Sequence, residues 1–600
     1  MKKYLILLFI IFCSYSSFAS HGMGGEITWT CDGTGNYIFQ MKFYRDCNGI
    51  PGPGSVSLST NVPGVPNIPC TLISQTDISP DGGAGTGNSP CVNCPPAGSG
   101  GNGAVEEYVF LSAPTVLPGV PPATGWAFWW GDCCRSAALT NIGGAGSIGF
   151  ALRAKMYPFP GQAPGLCSDN SPYFAERPSV IICTGYPFTY NHLAIDPEMD
   201  SLNYEWASPI DNIPYPWTPF IPFAPGYSVT NQVPGNPTLD QHSGQIAFNS
   251  STGGYFATVL QVSSYKCGIL VSVIYREINI VLITGCVIPI AGNPLNYPPA
   301  VTLVDSNLVL FPSNDTTVHA GDIVKFRLVA ADFDIHPPAS SQIVTFNASG
   351  QQFGAGFTSI TTGCLIPPCA ILSPPPPVSS PASMQINFNW TTTTDHLGLN
   401  YNCVYLGNKY YFVIRTNDNY CSANAISNTT VSITVLPNTP APLVSWGGGQ
   451  LSCLTTGNYS YQWFLNRFAI AGATGQSYTP LVNGYYQVLA VHNVTGDGNY
   501  SDGIMITVGM EDISSHISGL TVYPNPSHNG KFQLSFSSDK EENVVISIKD
   551  ALGKSLIEKA LADFTGKYSE EINLSAFSKG IYTVELKTGD GRINKKLILL

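Results

Sequence analysis

Hydrophobic and polar residues alternate along short segments of this chain, and turn-forming residues separate the segments. In 37–47 (YIFQMKFYRDC), for example, Phe39, Met41 and Phe43 alternate with neighbours of different polarity. No long segment has the apolar spacing of an amphipathic helix. The pattern predicts an all-β fold of tandem β-sandwich modules, with short strands joined by loops such as the glycine-rich 81–103.

The aromatic segment 126–130 (WAFWW) is predicted to form one strand. Side chains two positions apart on a strand share a face, so Trp126, Phe128 and Trp130 are expected to lie together. Such a cluster could stack on sugar rings, but burial in a core is the favoured interpretation for this face. Trp129 points the other way and is the better candidate for contact with an exposed ligand.

Three segments resemble known β-sandwich modules. Residues 459–463 (YSYQW) and 484–488 (GYYQV) resemble strands of immunoglobulin-like (Ig-like) domains. Residues 194–204 (AIDPEMDSLNY) and 320–334 resemble a strand–loop–strand segment of cadherin-like and PKD-like repeats. These resemblances predict the following order: a signal peptide (1–19), an N-terminal disulfide-containing β domain (20–165), a PKD/cadherin-like sandwich (166–290), a cadherin-like sandwich (291–438), an Ig-like domain (439–510) and a small C-terminal β-sandwich (517–600).

The first residues are typical of a signal peptide. Lys2 and Lys3 precede the apolar run 5–12, and Ser17 and Ala19 form a small-x-small cleavage pattern. Cys13 offers a lipoprotein alternative, which the large preceding Phe12 disfavours. No later stretch is apolar over the ~20 residues that a membrane helix needs, so no transmembrane anchor is expected.

The charge of the chain narrows the classes of partner. Only 11% of the 600 residues are charged, and the net charge is −12. Nucleic acids and anionic membranes are recognised through basic patches, so neither is an expected partner.

The cysteine count favours disulfides. Of 17 cysteines, 16 remain when Cys13 is removed with the signal peptide, an even number in an exported chain. The candidates that are close in sequence are Cys31 and Cys47, Cys91 and Cys94, Cys364 and Cys369, and Cys403 and Cys421. Spacing does not fix the connectivity, although the adjacent Cys133 and Cys134 are expected to have different partners. Cys453 is expected to bond outside its module or to be buried and free. Zinc binding by Cys91 and Cys94 is the alternative to a disulfide, but no second CxxC motif or histidine pair follows at the spacing of a zinc finger.

Two acidic loops are candidate calcium sites. Asp196, Glu198 and Asp200 alternate within one loop, and Asp332 and Asp334 repeat the spacing. Calcium needs several oxygen ligands, which carboxylates two apart in a loop can supply. The alternative is an acidic turn whose carboxylates cap backbone amides.

The last 82 residues differ in composition from the rest. Residues 519–600 contain 11 of the 26 Lys and Arg and 10 of the 38 Asp and Glu. Alternation predicts strands there at 532–536, 543–548, 568–574, 581–586 and 593–599.

Five ordered sequence blocks in this tail carry a family resemblance: 521–527 (TVYPNPS), 530–532 (GKF), 550–554 (DALGK), 579–584 (KGIYTV) and 595–599 (KKLIL). Together they resemble the type A C-terminal sorting domain of the type IX secretion system, found in gliding-type bacteria. The resemblance implies passage through the periplasm to the outer-membrane surface, handling by the translocon and a surface sortase, and release or attachment to lipopolysaccharide. The motif positions are Tyr523, Pro524, Asn525, Pro526, Gly530, Gly553, Lys554, Gly580, Tyr582, Lys595 and Lys596.

No enzyme signature is found: the chain has no HExxH, GxSxG, P-loop or strand-linked GxGxxG motif. The adjacent Glu106 and Glu107 would point to opposite faces of a strand and so do not form a glycosidase pair. We therefore expect a non-catalytic, adhesin-like or structural surface protein with an unidentified glycan or protein ligand. The alternative is a secreted hydrolase of polysaccharide or peptide, with its catalytic site in 21–165.

Overall fold

The structure is a computed structural model that describes residues 22–599. The excluded positions are 48, 50, 80–103, 161, 163, 164, 166, 168, 179, 180, 285–295, 306, 333, 337–339, 399–406, 420–423, 448, 467, 495, 507–515, 528, 551–553 and 590. The predicted signal peptide and the loop 81–103 lie outside the described residues. The described part is all-β, as predicted, and its only helical elements are three 3-10 turns at Ala145–Ser147, Ala355–Phe357 and Thr394–His396. None of these turns approaches the length of a membrane-spanning helix.

The chain divides into two compact units. One contains residues 1–445, 452–477 and 487–503, and the other contains 446–451, 478–486 and 504–600.

The first unit begins with a large sheet that recruits strands from two predicted modules. The strands up to residue 283 are β1 (Gly22–Cys31), β2 (Tyr37–Asp46), β3 (Ser55–Val62), β4 (Val65–Asp77), β5 (Val105–Ser112), β6 (Trp126–Asp132), β7 (Phe150–Met156), β8 (Tyr173–Phe174), β9 (Ile181–Cys183), β10 (Pro187–Asn191), β11 (Ala194–Ile195), β12 (Ser201–Trp206), β13 (Thr238–Leu239), β14 (Gln245–Asn249), β15 (Gly254–Lys266) and β16 (Ile269–Ile283).

Eleven of these strands form one sheet, ordered β1-β2-β5-β4-β3-β6-β7-β16-β15-β12, with β9 also paired to β16. Because β1 pairs with both β2 and β16, the path of eight strands from β1 to β16 returns to its start. The side chains of Ile27, Trp29, Phe39, Phe110 and Phe128 form its core and are almost fully buried.

This sheet crosses the domain boundary predicted at 165–166. Strand β7 pairs antiparallel with β16, and Gly25 of β1 lies opposite Glu277 of β16. The predicted modules 20–165 and 166–290 therefore share a single sheet, because the apolar residues of β16 complete the core that β1 and β7 begin.

Residues 300–436 form a two-layer sandwich inside the predicted range 291–438. Its strands are β17 (Ala300–Val304), β18 (Asp315–His319), β19 (Ile323–Ala331), β20 (Ile335–His336), β21 (Ser340–Ser341), β22 (Ile343–Gly350), β23 (Ile371–Ser373), β24 (Val378–Pro381), β25 (Ser383–Thr391), β26 (Asn408–Asn417) and β27 (Ile426–Leu436). One sheet has the order β17-β19-β25-β23 and the other β18-β27-β26-β22-β24. Phe388 of the first sheet meets Phe412 of the second edge-on at 5.1 Å between ring centroids, which places an aromatic core between the layers.

The strands of the predicted Ig-like region are short. They are β28 (Val444–Gly447), β29 (Gln450–Cys453), β30 (Tyr459–Leu465), β31 (Phe468–Ala469), β32 (Ser477–Tyr478), β33 (Gly484–His492), β34 (Gly498–Tyr500) and β35 (Ile504–Ile506). Trp463 is fully buried, as expected for the central tryptophan of such a module, and its indole N–H donates to the carbonyl of Gly475.

The C-terminal strands form a five-stranded antiparallel sheet. They are β36 (Ile517–Tyr523), β37 (Lys531–Lys549), β38 (Ser555–Asn573), β39 (Gly580–Lys587) and β40 (Arg592–Leu599), in the order β36-β37-β39-β40 with β38 paired to β37. The strands predicted at 532–536 and 543–548 are one continuous strand, because register shifts between Ser538 and Val544 bend the ladder without ending it. The first half of β38 was not predicted.

Candidate functional sites

The motif residues of the tail contact one another across its ends. Asn525, within the YPNP segment, donates from Nδ2 to the carbonyl of Lys596 and accepts from the backbone N–H of Ile598 at 2.9 Å. Lys595 donates from Nζ to the carbonyl of Leu520 at 2.7 Å. The first and last sequence blocks of the tail are therefore joined by hydrogen bonds, although about 70 residues separate them.

Gly530 is required by backbone geometry. Its φ is +75°, and a Cβ at this position would lie 2.6 Å from the backbone of Ser575. The hydroxyl of Tyr582 donates to the carbonyl of Ser578, and the backbone N–H of Lys554 donates to the Asp550 carboxylate. Tyr523 is 60% exposed, and Gly553 lies outside the described residues. Asn525, Gly530, Tyr582 and Lys595 thus have a structural reason in the fold of the tail.

The first acidic loop is organised by backbone amides. Asp196 is buried, and its Oδ1 accepts the N–H groups of Glu198 and Asp200, both at 3.0 Å. Its Oδ2 accepts the Ser264 hydroxyl at 2.9 Å. Glu198 accepts from the side-chain amide of Asn170. These are the amide-capping contacts of the acidic-turn alternative.

A buried lysine supplies the positive charge beside this loop. Lys266 is 4% exposed and forms ion pairs with Asp169 and, at 3.5 Å, with Asp200. This ammonium group neutralises part of the carboxylate charge, which favours the acidic-turn alternative, and calcium stays a prediction at this loop. Burial raises the pKa of Asp169 and Asp196 to about 8 and that of Glu198 to about 7.

The second acidic loop repeats the capping arrangement. Asp332 accepts the backbone N–H of Asp334 at 2.9 Å, and Asp334 accepts that of Tyr297 at 2.6 Å. Burial raises the pKa of Asp332 to about 6. Among the described residues, no group of three or more His, Cys, Asp or Glu side chains is arranged to hold a metal ion. Calcium stays a prediction at this loop.

Sequence reasoning missed two buried ion pairs on β16. Arg276 donates from Nε and Nη2 to Glu26 of β1 at 2.8 and 2.6 Å, and the Tyr44 hydroxyl also contacts Glu26. Arg135 pairs with the neighbouring Glu277 through both carboxylate oxygens. Two adjacent charged residues within an otherwise apolar strand (274–280, IYREINI) are the sequence feature that could have predicted these pairs.

The aromatic segment has the orientation that alternation predicts. Trp126 and Phe128 are buried in the core, and Trp130 packs against it half-buried. Trp129 lies on the opposite face, where its ring meets that of Trp217 edge-on at 6.3 Å. Trp129 is half-buried by this contact and is not fully exposed.

The disulfides confirm some of the cysteine predictions and contradict others. Cys31 bonds to Cys167, because the backbone N–H of Cys167 donates to Gly35 and brings that loop beside the β1–β2 turn. Cys47 is disulfide-bonded as well. The expectation of separate partners for Cys133 and Cys134 was wrong, since they bond to each other.

Other cysteine predictions have mixed outcomes. Cys364 and Cys369 are bonded as a local pair. Cys453 is a buried free thiol, which is one of the two outcomes predicted for it. Cys70 is also a buried free thiol. Cys91, Cys94, Cys403 and Cys421 lie outside the described residues.

Two clefts lie against the 300–436 sandwich within the first unit, one beside strand β12 of the large sheet and one beside the two-stranded β8–β11 sheet. The first, of about 370 Å³, borders the acidic loop and is lined by Asp196, Met199, Tyr204, His242, Asn408 and Tyr411. The second, of about 480 Å³, is lined by Tyr173, Ile195, Gln351, Phe353, Phe357 and Leu365. Sequence reasoning did not foresee either, because each joins residues from distant segments.

Comparison with known proteins identifies the tail. Residues 521–600 match the family described as a secretion system C-terminal sorting domain, which confirms the predicted type IX sorting domain. No curated protein gives a significant match. Similar solved structures include Sidekick-1 immunoglobulin domains 1–4 (13% identity over 71% of this chain and 98% of that one, TM-score 0.11) and the BSP domain of a biofilm associated protein (7% identity over 98% of both chains, TM-score 0.15). Similarity at these TM-scores carries no information about function.

Proposed function

We propose that this chain is a non-catalytic secreted or cell-surface protein, adhesin-like or structural, whose C-terminal tag directs it through the type IX secretion system. The sorting domain at 521–600 is the observation that carries the proposal. That domain marks the chain as a type IX secreted protein, destined for the cell surface or the exterior. The finer proposal adds the translocon and a surface sortase as partners, with lipopolysaccharide as the attachment point.

The buried charges of the first unit support a non-catalytic role. Glu26 with Arg276, Glu277 with Arg135, and Asp169 with Lys266 are each paired inside the fold. A catalytic acid or base needs access to substrate, and these groups are instead satisfied by one another. The Glu26–Arg276 pair joins β1 to β16, and the other two pairs fasten loops to β16 and β15, as a rigid extracellular scaffold requires.

Deletion of 517–600 tests the export route. We expect the truncated chain to accumulate in the periplasm, whereas the full chain appears at the surface or in the medium. Cell fractionation followed by immunoblotting measures the distribution. Unchanged export of the truncated chain would contradict the assignment of the tail.

Incubation of the secreted chain with polysaccharides and with casein tests the absence of catalysis. We expect no new reducing ends and no peptide products, measured by a reducing-sugar assay and by electrophoresis. Turnover of either substrate would instead support a secreted hydrolase.

A further inference from the structure

One face of the large sheet, opposite the aromatic core, combines cations with aromatic rings. The guanidinium of Arg153 lies 4.2 Å from the ring centroid of Tyr275 and 5.6 Å from that of Trp217. The ammonium of Lys155 lies 5.1 Å from the ring of Tyr157 and 5.4 Å from that of Tyr215. We call this the cation–aromatic face and define it as Trp129, Arg153, Lys155, Tyr157, Tyr215, Trp217, Phe220 and Tyr275.

Neither cation of this face forms an ion pair with a carboxylate in the described part of the chain. Arg153 is 4% exposed, and its guanidinium donates to the carbonyl of Ser208 at 2.8 Å. The neighbouring Glu277 is engaged by Arg135 on both of its oxygens. Arg153 is therefore held inside this face, and half-buried Lys155 is the cation that a ligand can reach.

A proline-rich loop holds the aromatic rings in place. Residues 209–225 contain six prolines, whose fixed φ angles limit the conformations of the loop. Its Tyr215 and Trp217 rings meet edge-on at 5.1 Å, and Trp217 in turn contacts Trp129 of β6. The loop leaves Phe220 53% exposed at the edge of the face. A ligand that binds here meets preorganised rings, which lowers the entropy cost of binding.

We propose that the cation–aromatic face binds an acidic polysaccharide, and this rests on the proposed adhesin-like function. Exposed Phe220 and half-buried Tyr157 and Tyr215 offer flat apolar surfaces for the C–H faces of sugar rings. Half-buried Lys155 is placed to attract the carboxylates or sulfates of the same chain, whereas buried Arg153 stays beneath the rings of Trp217 and Tyr275. Neutral glycans would use only the rings, so charge on the saccharide is the expected determinant of affinity.

Polygalacturonate and its fully methyl-esterified form are suitable probes, because they share a backbone and differ in charge. We expect the purified secreted chain to bind polygalacturonate roughly tenfold or more tightly than the esterified form, since a charged contact contributes more to binding than a neutral one. Dextran sulfate should also bind, whereas dextran should not. Binding is measured by biolayer interferometry at 50 and 300 mM NaCl, and affinity for the acidic polymers should fall with salt. Equal affinity for charged and esterified polymers would overturn the proposal.

Two single variants locate the site. Lys155→Gln should weaken polygalacturonate binding several-fold and reduce its salt dependence, and Phe220→Ala should weaken it at both salt concentrations. The matched controls are Lys409→Gln, a lysine near Tyr411 that is already paired with Asp315 at 2.7 Å, and Phe468→Ala, a phenylalanine 61% exposed elsewhere in the same unit. Circular dichroism and thermal melting verify that each variant is folded. Equal losses in variants and controls would place the binding elsewhere and overturn the proposal.

The outcomes for the face and for the proposed function are separable. A chain that is exported, does not hydrolyse the polymers and binds none of them refutes the face while leaving a surface role intact. A chain that degrades the polymers refutes the proposed function itself.

Discussion

At the scale of single residues, the first unit contains buried charged side chains that are paired with one another. Glu26 and Arg276 lie directly opposite each other on β1 and β16, about 250 positions apart in the chain. Arg276 also donates to the carbonyl of Glu176 and lies 4.0 Å from the ring centroid of Phe174. Buried charges are costly unless they are paired, so each such residue depends on its partner.

Removing one partner exposes that dependence. Arg276→Met should lower the free energy of unfolding by about 3–5 kcal/mol, because buried Glu26 would keep only the more distant Lys42, at 3.9 Å, as a counter-ion. Urea denaturation followed by tryptophan fluorescence measures the change. The control Lys409→Met breaks an exposed pair with Asp315 and should cost less than about 1 kcal/mol. A similar loss of unfolding free energy in both variants would show that the buried Glu26–Arg276 pair stabilises the fold no more than an exposed pair does.

The acidic loop predicts a pH dependence. Burial raises the folded-state pKa of Asp196 to about 8, whereas an unfolded aspartate titrates near about 4. A raised folded pKa gives a stability contribution that is complete below about pH 4 and is lost as pH rises through about 8. Thermal stability should therefore fall between pH 5 and 9, and less steeply in Asp196→Asn, which mimics the protonated form. A variant as steep as the wild type would contradict this role of Asp196.

Lys266 leads to a prediction about metal dependence. Because an ammonium already neutralises part of the charge of the first acidic loop, EDTA should leave the melting temperature of the purified chain unchanged. Differential scanning fluorimetry with and without calcium gives the readout, and magnesium serves as the control ion. A drop with EDTA that calcium alone reverses would restore the calcium hypothesis for one of the two loops.

At the scale of elements, the tail is built on two strands of 19 residues each. Strand β37 buries alternate side chains at both ends, and register shifts near its middle bend the ladder. The YPNP segment after β36 is fastened to β40 by Asn525. The first and last motif blocks therefore meet at one hydrogen-bonded edge, along β40.

Asn525→Ala tests that edge. Loss of two hydrogen bonds should destabilise the tail by roughly 1–3 kcal/mol and reduce surface delivery, with precursor retained in the periplasm. Fractionation and immunoblotting give the readout. Lys567→Ala, an exposed substitution in the same sheet, should leave both stability and export unchanged. Normal export of the Asn525 variant would show that the translocon does not depend on this edge.

At the scale of the whole molecule, the first large sheet unites residues that look like two modules in sequence. Strand β16 pairs with β1, β7, β9 and β15, and the Cys31–Cys167 disulfide also spans the predicted boundary. Residues 22–283 should therefore fold as one cooperative body.

Fragments test this directly. Residues 20–290 should give a single sharp thermal transition, whereas 20–165 alone should not, because it lacks the strand that completes its core. Circular dichroism at increasing temperature measures both fragments. A cooperative transition in 20–165 would show that the predicted boundary separates independent domains after all.

The sequence by itself determined the features that depend on local order. Alternation predicted the all-β class and the faces of Trp126, Phe128 and Trp129, since side-chain direction on a strand follows from position alone. The ordered tail blocks predicted the sorting domain, because each block is short and contiguous and can be recognised without knowledge of the fold.

Tertiary structure alone decided which distant segments meet. The Cys31–Cys167 bond, the Glu26–Arg276 pair, the position of Lys266 beside Asp200 and the loop that brings Trp217 to Trp129 all join segments far apart in the chain. Strand order in a sheet is set by how apolar faces from the whole chain pack together. No local pattern records that choice, so the candidate sites emerge only in the folded molecule.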